Sequence, residues 1–397
     1  MGRKGTDIVR RAHVAGKSLM QFMGEVEDPR QRGKVKYPLA YVLSLLLLGL
    51  MYGKTSCTAI AYKLRLKRKY IKRVFGIAEI PSHDTFSEVL ARLDFEELLF
   101  VFLQWIEQLL SADPLQEAQV MVDGKAVRAS AVSDGMSTYI PYVLNAIINF
   151  KGVRLFIGML PVGEKSNEIP HVVPLMELLE MRGKTFSADA IACQTKITRR
   201  VGQLGGHYVI PLKENQEGTL QELSYHLEAC LEDGGCSHHG PDWDLGHGRI
   251  EVRECWAAPI GADELAAMDV ADDWRGIRTV ARVHRRTMEK KTGKVSEQTV
   301  YYISSHSLDA QSFASYIRNY WSVESCHWVL DSRYREDWST SRRGNALENF
   351  ALLRRIAFNL DQIEQRSVTE KILDFGEYFS EMGHRTLKLL TQAFAIL

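Results

Sequence analysis

What the chain lacks narrows it first. Its six cysteines, Cys57, Cys193, Cys230, Cys236, Cys255 and Cys326, form no CxxC pair and follow no signal peptide. That excludes a disulfide scaffold and leads us to expect reduced thiols in the cytoplasm. The nearest thing to a metal cluster, Cys230, Cys236, His238 and His239, has none of the usual zinc spacings and falls in a Gly-rich loop. No apolar run reaches the ~20 residues of a membrane span. The longest, YPLAYVLSLLLLGLMY at residues 37–52, is closed in by Lys36 and Lys54 and reads as a buried core helix, so no membrane partner is expected. Net charge is missing too, with 50 basic residues against 49 acidic ones. Yet residues 54–73 hold Lys54, Lys63, Arg65, Lys67, Arg68, Lys69, Lys72 and Arg73 and no acid, a block able to meet a polyanion.

At 397 residues the chain exceeds one compact core. Residues 1–22 read as a basic arm. Residues 23–112 are mostly helical, with Asp84 expected to cap a helix from Thr85 and Asp94 one over residues 95–110. Short helices beside the basic block resemble a helix-turn-helix unit, so this domain is expected to bind DNA. From Ala118 the period changes. AQVMVDGKAVRAS, TYIPYVLNAIINF and VRLFIGMLPV read as a meander with turns at 133–135 and 151–152, then a helix capped near Asn167. The strand KTFSADA, a helix over 194–204 and the strand HYVIPLK complete a β-β-β-α-β-α-β series. The expected catalytic core is thus residues 118–215 and 305–360. A β-rich insertion at 216–304, carrying Arg275, Arg278, Arg282, Arg285 and Arg286, interrupts it, and a helical tail occupies 361–397.

Three acids stand out. Asp123 lies inside the first strand, where a carboxylate is costly unless paired or bound to a cation; Lys125, on the same face by alternation, is one partner for it. Asp189 ends the strand SADA, as a helix cap or as a functional group presented at a strand end. Glu324 sits on a helix read over residues 313–337, on one face with Tyr320, His327 and Asp331, and with no lysine or arginine one turn away. Asp331 is expected to pair with Arg335. Carboxylates suit Mg²⁺, and two ions ~4 Å apart can activate an attacking oxygen and stabilise a leaving one in phosphodiester displacement. Lys213, Asn215 and Gln216 could face phosphates, His327 could orient Glu324 or touch DNA, and Trp243 and Trp256 could stack on a base or fill the core.

These residues lie in blocks that together resemble the DDE transposases of bacterial insertion sequences, in the branch of H-repeat-associated proteins. The blocks are GKVKYPLAYVLSLLLLGLMYG and IPSHDTFSEVLARLD, VDGKAVRAS around Asp123, EKSNEIP, SADAIACQ around Asp189, GGHYVIPLKENQ, GHGRIEVRECW, and YWSVESCHWVLDSRYRED with SRRGNALEN behind it. They run in order through most of residues 23–360. The resemblance implies an α/β, ribonuclease-H-like mixed sheet with a β-rich insertion and an N-terminal helical domain. It also implies metal-dependent cutting and joining of DNA ends, with Asp123, Asp189 and Glu324 as catalytic metal ligands for two Mg²⁺ ions, for which Mn²⁺ could substitute. Related transposases often carry an Arg four residues before the helix acid and a Lys seven after. Here those positions are Tyr320 and Asp331, so cationic contacts to the DNA end would fall to Arg318, Arg335, Arg342 or Arg343.

The function expected is therefore an insertion-sequence transposase acting on double-stranded DNA, both element ends and target, as a nucleoid-associated homodimer. A catalytically silent DNA-binding relative, serving as repressor or domesticated remnant, is the alternative, and a nuclease that cuts without joining is a third.

Overall fold

The computed structural model describes residues 16–111, 118–133, 138–150, 152–163, 167–246, 248–270, 274 and 276–391. Most of the expected basic arm, most of the 133–135 turn, Lys151, residues 164–166 of the EKSNEIP block, Arg275 and the last residues of the tail lie outside them.

Helices α1 (Leu19–Met23), α2 (Leu39–Met51), α3 (Cys57–Leu66), α4 (Arg68–Phe75), α5 (His83–Arg92) and α6 (Phe95–Leu110) come first. Strands β1 (Gln119–Ala126), β2 (Val132–Ser133), β3 (Thr138–Tyr139), β4 (Tyr142–Phe150) and β5 (Val153–Val162) follow. Next are α7 (Ile169–Glu177), β6 (Thr185–Ala188), α8 (Thr195–Gln203), β7 (His207–Leu212), α9 (Glu217–Glu232), β8 (Ser237–Asp244), β9 (Arg249–Pro259) and α10 (Ala262–Ala266). Strands β10 (Thr279–Glu289) and β11 (Val295–Ser304) precede α11 (Ala310–Ser332), α12 (Ala346–Ser367), α13 (Phe375–Glu381) and α14 (Gly383–Thr391). The chain divides into two compact units. One comprises Met1–Leu115, Gly124–Ser166 and Glu324–Leu397, the other Gln116–Asp123 and Asn167–Val323. Strand β1 and helix α11 each run from one unit into the other.

The first unit is built around two helices with no polar stripe. In α2, Leu43, Leu45, Leu46, Leu47, Leu48 and Leu50 are fully buried, as its long apolar run, broken only by Ser44 and Gly49, requires. No described helix is long and apolar enough to cross a membrane. Helix α12 is buried against α2, α5, α6 and β5 although it carries Asn349, Arg354, Arg355 and Asn359. Buried polar groups need partners, and for the two asparagines backbone supplies them. The Asn359 amide exchanges two 2.8 Å hydrogen bonds with the backbone of Phe156 in β5, and Asn349 Nδ2 donates to the carbonyls of Leu90 and Leu93 at the end of α5. Asp94 caps α6 as expected, accepting from the Glu96 and Glu97 amides. Ser82 rather than Asp84 caps α5, so that helix begins at His83 and Asp84 falls in its first turn.

In the second unit the first half of β1 runs parallel to β6, and β6 parallel to β7. Antiparallel β11 joins β7 and continues through β10 and β9 to β8. In the first unit β4 and β5 form a hairpin beside the end of β1. Strand β8 is a correction: its sequence SHHGPDWD lacks apolar alternation and reads as a loop, but its backbone pairs with β9 across a register shift at the cis Gly240–Pro241 bond. The first turns of α11 close this unit's core, setting Ala310, Phe313 and Ile317 against Val209, Ala281, Val283 and Tyr302.

Candidate active site

The parallel register of β1 and β6 pairs Val120 with Phe186, Met121 with Ser187 and Val122 with Ala188. The next position along each strand is an aspartate, Asp123 and Asp189. Parallel neighbours lie ~4.8 Å apart and register partners share a face, so the two acids stand level on neighbouring strands, Asp123 inside β1 and Asp189 just past the end of β6. Asp189 keeps extended backbone and accepts a 2.6 Å hydrogen bond from the Ala190 amide, while most of its side chain faces solvent. Helix α11 brings Tyr320 to the same place. Burial raises its phenol pKa, and the negative charges of Asp123 and Asp189 raise it further, so it stays a neutral donor beside two carboxylates.

A cavity of about 130 Å³ opens here, lined by Asp189, Lys213, Arg285, Tyr320 and Trp321 among others. Lys213 Nζ lies 3.6 Å from Asp189, opposing its charge. Asn215, which is exposed, and Gln216 brace the Asp189 turn by donating to the carbonyls of Ala190 and Cys193 at 3.0 Å. Trp256 is stacked on His238 at 5.0 Å and covered by Arg282 at 4.6 Å, which leaves no face for a base. Trp243 is 66 % exposed. Of the Cys/His group, His238 is taken by that stack, His239 meets Asp242 at 3.3 Å, and Cys230 Sγ contacts His226 at 3.6 Å. Among the described residues no three His, Cys, Asp or Glu side chains are gathered as a ready metal centre.

In the first unit Glu324 is exposed on α11, one turn before Trp328, which is 67 % exposed. One expected pair is replaced. Helix α11 ends at Ser332, and Arg335 adopts φ +46°, turning the chain into a 3₁₀ turn at Glu336–Trp338. The helical spacing that would join Asp331 to Arg335 therefore does not exist. Asp331 instead meets Lys125 Nζ at 2.6 Å, and Asp337 meets the same ammonium at 3.2 Å. Gly124 makes the strand beside Lys125 approachable: a Cβ there would sit 2.0 Å from the Tyr142 ring. His327 lies 3.4 Å from Asn145. Burial, then Arg355 and Lys125, push its pKa down to about 3, which leaves no positive charge there for a phosphate. Asn145 also accepts from Arg355 at 2.9 Å, and Arg355 is ion-paired with Glu336, both fully buried. The sequence does not reveal these partners of Lys125 or the Glu336–Arg355 pair, since residues about 200 and 20 positions apart leave no local pattern.

The expected DNA-contacting cations divide. Arg65, Arg68, Lys69, Lys72 and Arg73 are exposed. Lys67 donates to the Ser380 carbonyl at 3.1 Å, and Lys63 lies over the Tyr52 ring at 5.8 Å. Arg342 donates to the Ala129 carbonyl at 3.1 Å and Arg343 pairs with Glu88 at 2.8 Å.

Comparison with known proteins gives the family. Residues 120–360 match the family described as "Transposase DDE domain", and residues 20–106 match one described as "DDE_Tnp_1-associated". The chain is similar to "H repeat-associated putative transposase YhhI" of Escherichia coli (strain K12), 31% identical over 350 residues, 87% of this chain and 90% of that protein. It is also similar to "Putative transposase YncI" of Escherichia coli O157:H7, 28% identical over 352 residues, 86% of this chain and 87% of that one. A family match over more than half of the sequence places this chain among the DDE transposases, with their ribonuclease-H-like α/β fold.

Proposed function

We propose that this chain binds the inverted repeats of its own insertion sequence and performs end cleavage and strand transfer on DNA, with Asp123, Asp189 and Glu324 as the metal-holding acids. The observation that carries the reading is the β1–β6 register, which sets Asp123 level with Asp189. Their donor chemistry fits Mg²⁺ or Mn²⁺: hard carboxylate oxygens, one of them open to solvent and opposed by a lysine that can move aside. A pair of such ions would supply charge neutralisation and an activated oxygen nucleophile.

The chain's own groups do the rest. Tyr320, neutral beside the two aspartates and one helical turn ahead of Glu324, donates a hydrogen bond where negative charge collects. Lys213, released from Asp189, turns to a phosphate oxygen, and Arg285 offers a second cation on the cavity wall. Because two ends are held at once, the working form is a homodimer on DNA. Incubation of the purified chain with end-containing duplex and Mg²⁺ tests the reading. Metal-dependent nicking at the ends, lost in Asp189→Asn, is expected; nicking undiminished in that variant would refute the assignment.

A further inference from the structure

In the first unit a cleft of about 660 Å³ lies between α3, the start of α5 and the segment leading to α2. Lys34, Lys36, Arg65 and Arg343 line it as exposed cations, against Asp84 and Glu88. Arg30 also reaches the wall, but it is a structural group: it grips the Asp28 carboxylate through two nitrogens and donates to the Tyr37 carbonyl at 2.7 Å, fixing the loop that carries Lys34 and Lys36. Two of the cations hold exposed ion pairs, Lys36 with Glu79 at 2.6 Å and Arg343 with Glu88 at 2.8 Å. Pairs in water are worth only about 0–1 kcal/mol, so a polyanion can exchange into them.

We infer that this cleft receives a DNA phosphodiester backbone, with Lys34, Lys36 and Arg65 gripping its phosphates. Charge favours that occupant, since four exposed cations outnumber the two acids on the wall. The wall also draws on separate segments of the chain, and Arg30 fixes the loop that carries Lys34 and Lys36, so the cations line a groove instead of trailing from one run. Only Arg65 and Arg343 of this set are among the cations that sequence alone suggests for DNA. The inference rests on the transposase reading for its choice of polyanion but not on the catalytic acids.

The test is the salt dependence of binding to an end-containing duplex in EDTA, where no cleavage can occur. Removing one cation that neutralises a phosphate lowers the slope of log K against log salt by about one. Lys34→Ala and Arg65→Ala should each do so, their combination by about two, with equal effect on duplex lacking the ends because backbone recognition carries no sequence information. Thermal midpoints should not move, since both side chains are exposed. Lys291→Ala, which removes the same charge from the exposed β10–β11 turn, should leave the slope unchanged. Slopes equal to wild type in the double variant, an equal drop in Lys291→Ala, or no salt-sensitive binding by the wild-type chain would each overturn the inference. Failure of the catalytic reading would look different: cleavage surviving in Asp189→Asn, with binding through the cleft intact.

Discussion

Lys125 Nζ stands 2.6 Å from Asp331 and 3.2 Å from Asp337, so one buried ammonium ties the end of β1 to the last turn of α11 and the 3₁₀ turn behind it. Lys125→Ala would remove the buried counter-charge that these two carboxylates share, leaving the exposed Arg128 guanidinium 3.5 Å from Asp337. Loss of a fully buried ion costs about 3–5 kcal/mol, and partial solvent access at Asp331 and Asp337 screens this to about 2 kcal/mol. The thermal unfolding midpoint should fall accordingly. Lys125→Arg, which keeps the charge, should recover most of the loss.

The Arg355–Glu336 pair is the more demanding case, because both side chains are fully buried. Burial by itself would raise the Glu336 pKa, but Arg355 and Arg354 outweigh it and hold the carboxyl below its usual value. Arg355→Leu strands that charge in the core at a cost of about 3–5 kcal/mol. Removing both ends together, as Arg355→Leu with Glu336→Leu, should cost less than the single change. Denaturant midpoints of the three variants would show the order.

Acid should weaken the fold through two neutral histidines. Burial and the stacked His207 ring, 3.8 Å away, push His306 from 6.5 down to about 4, and His327 lies still lower. Between pH 6.5 and 4 the unfolded chain therefore binds more protons than the folded one, and stability rises with pH. The contribution is complete above pH 6.5 and disappears as the pH falls through about 4. The thermal midpoint should drop across that window, and His306→Gln should flatten the drop; a midpoint that stays level from pH 7 to 4 would contradict it.

Legibility from sequence follows the range of the interactions. The α6 cap at Asp94, the largely apolar α2 and the strands β9 to β11 rest on neighbours a few residues apart, and composition announces them. Strand β8 is hidden because its order comes from backbone pairing with β9, which no side-chain pattern encodes. The helix of Glu324 stops five residues short of what its sequence suggests, since the turn at Arg335 uses a left-handed conformation that arginine rarely adopts. Asp123 and Asp189 are visible as acids in apolar strands, but what sets them level is the register between two strands 66 residues apart (189 − 123).

The central claim is that Asp123, Asp189 and Glu324 act together on DNA, and one comparison tests it most directly. Asp123→Asn, Asp189→Asn and Glu324→Gln would be assayed beside the wild-type chain for Mg²⁺-dependent nicking and for duplex affinity. The account predicts that each single change lowers nicking by about three orders of magnitude or more while affinity in EDTA stays unchanged. Nicking retained in any one of the three would contradict it.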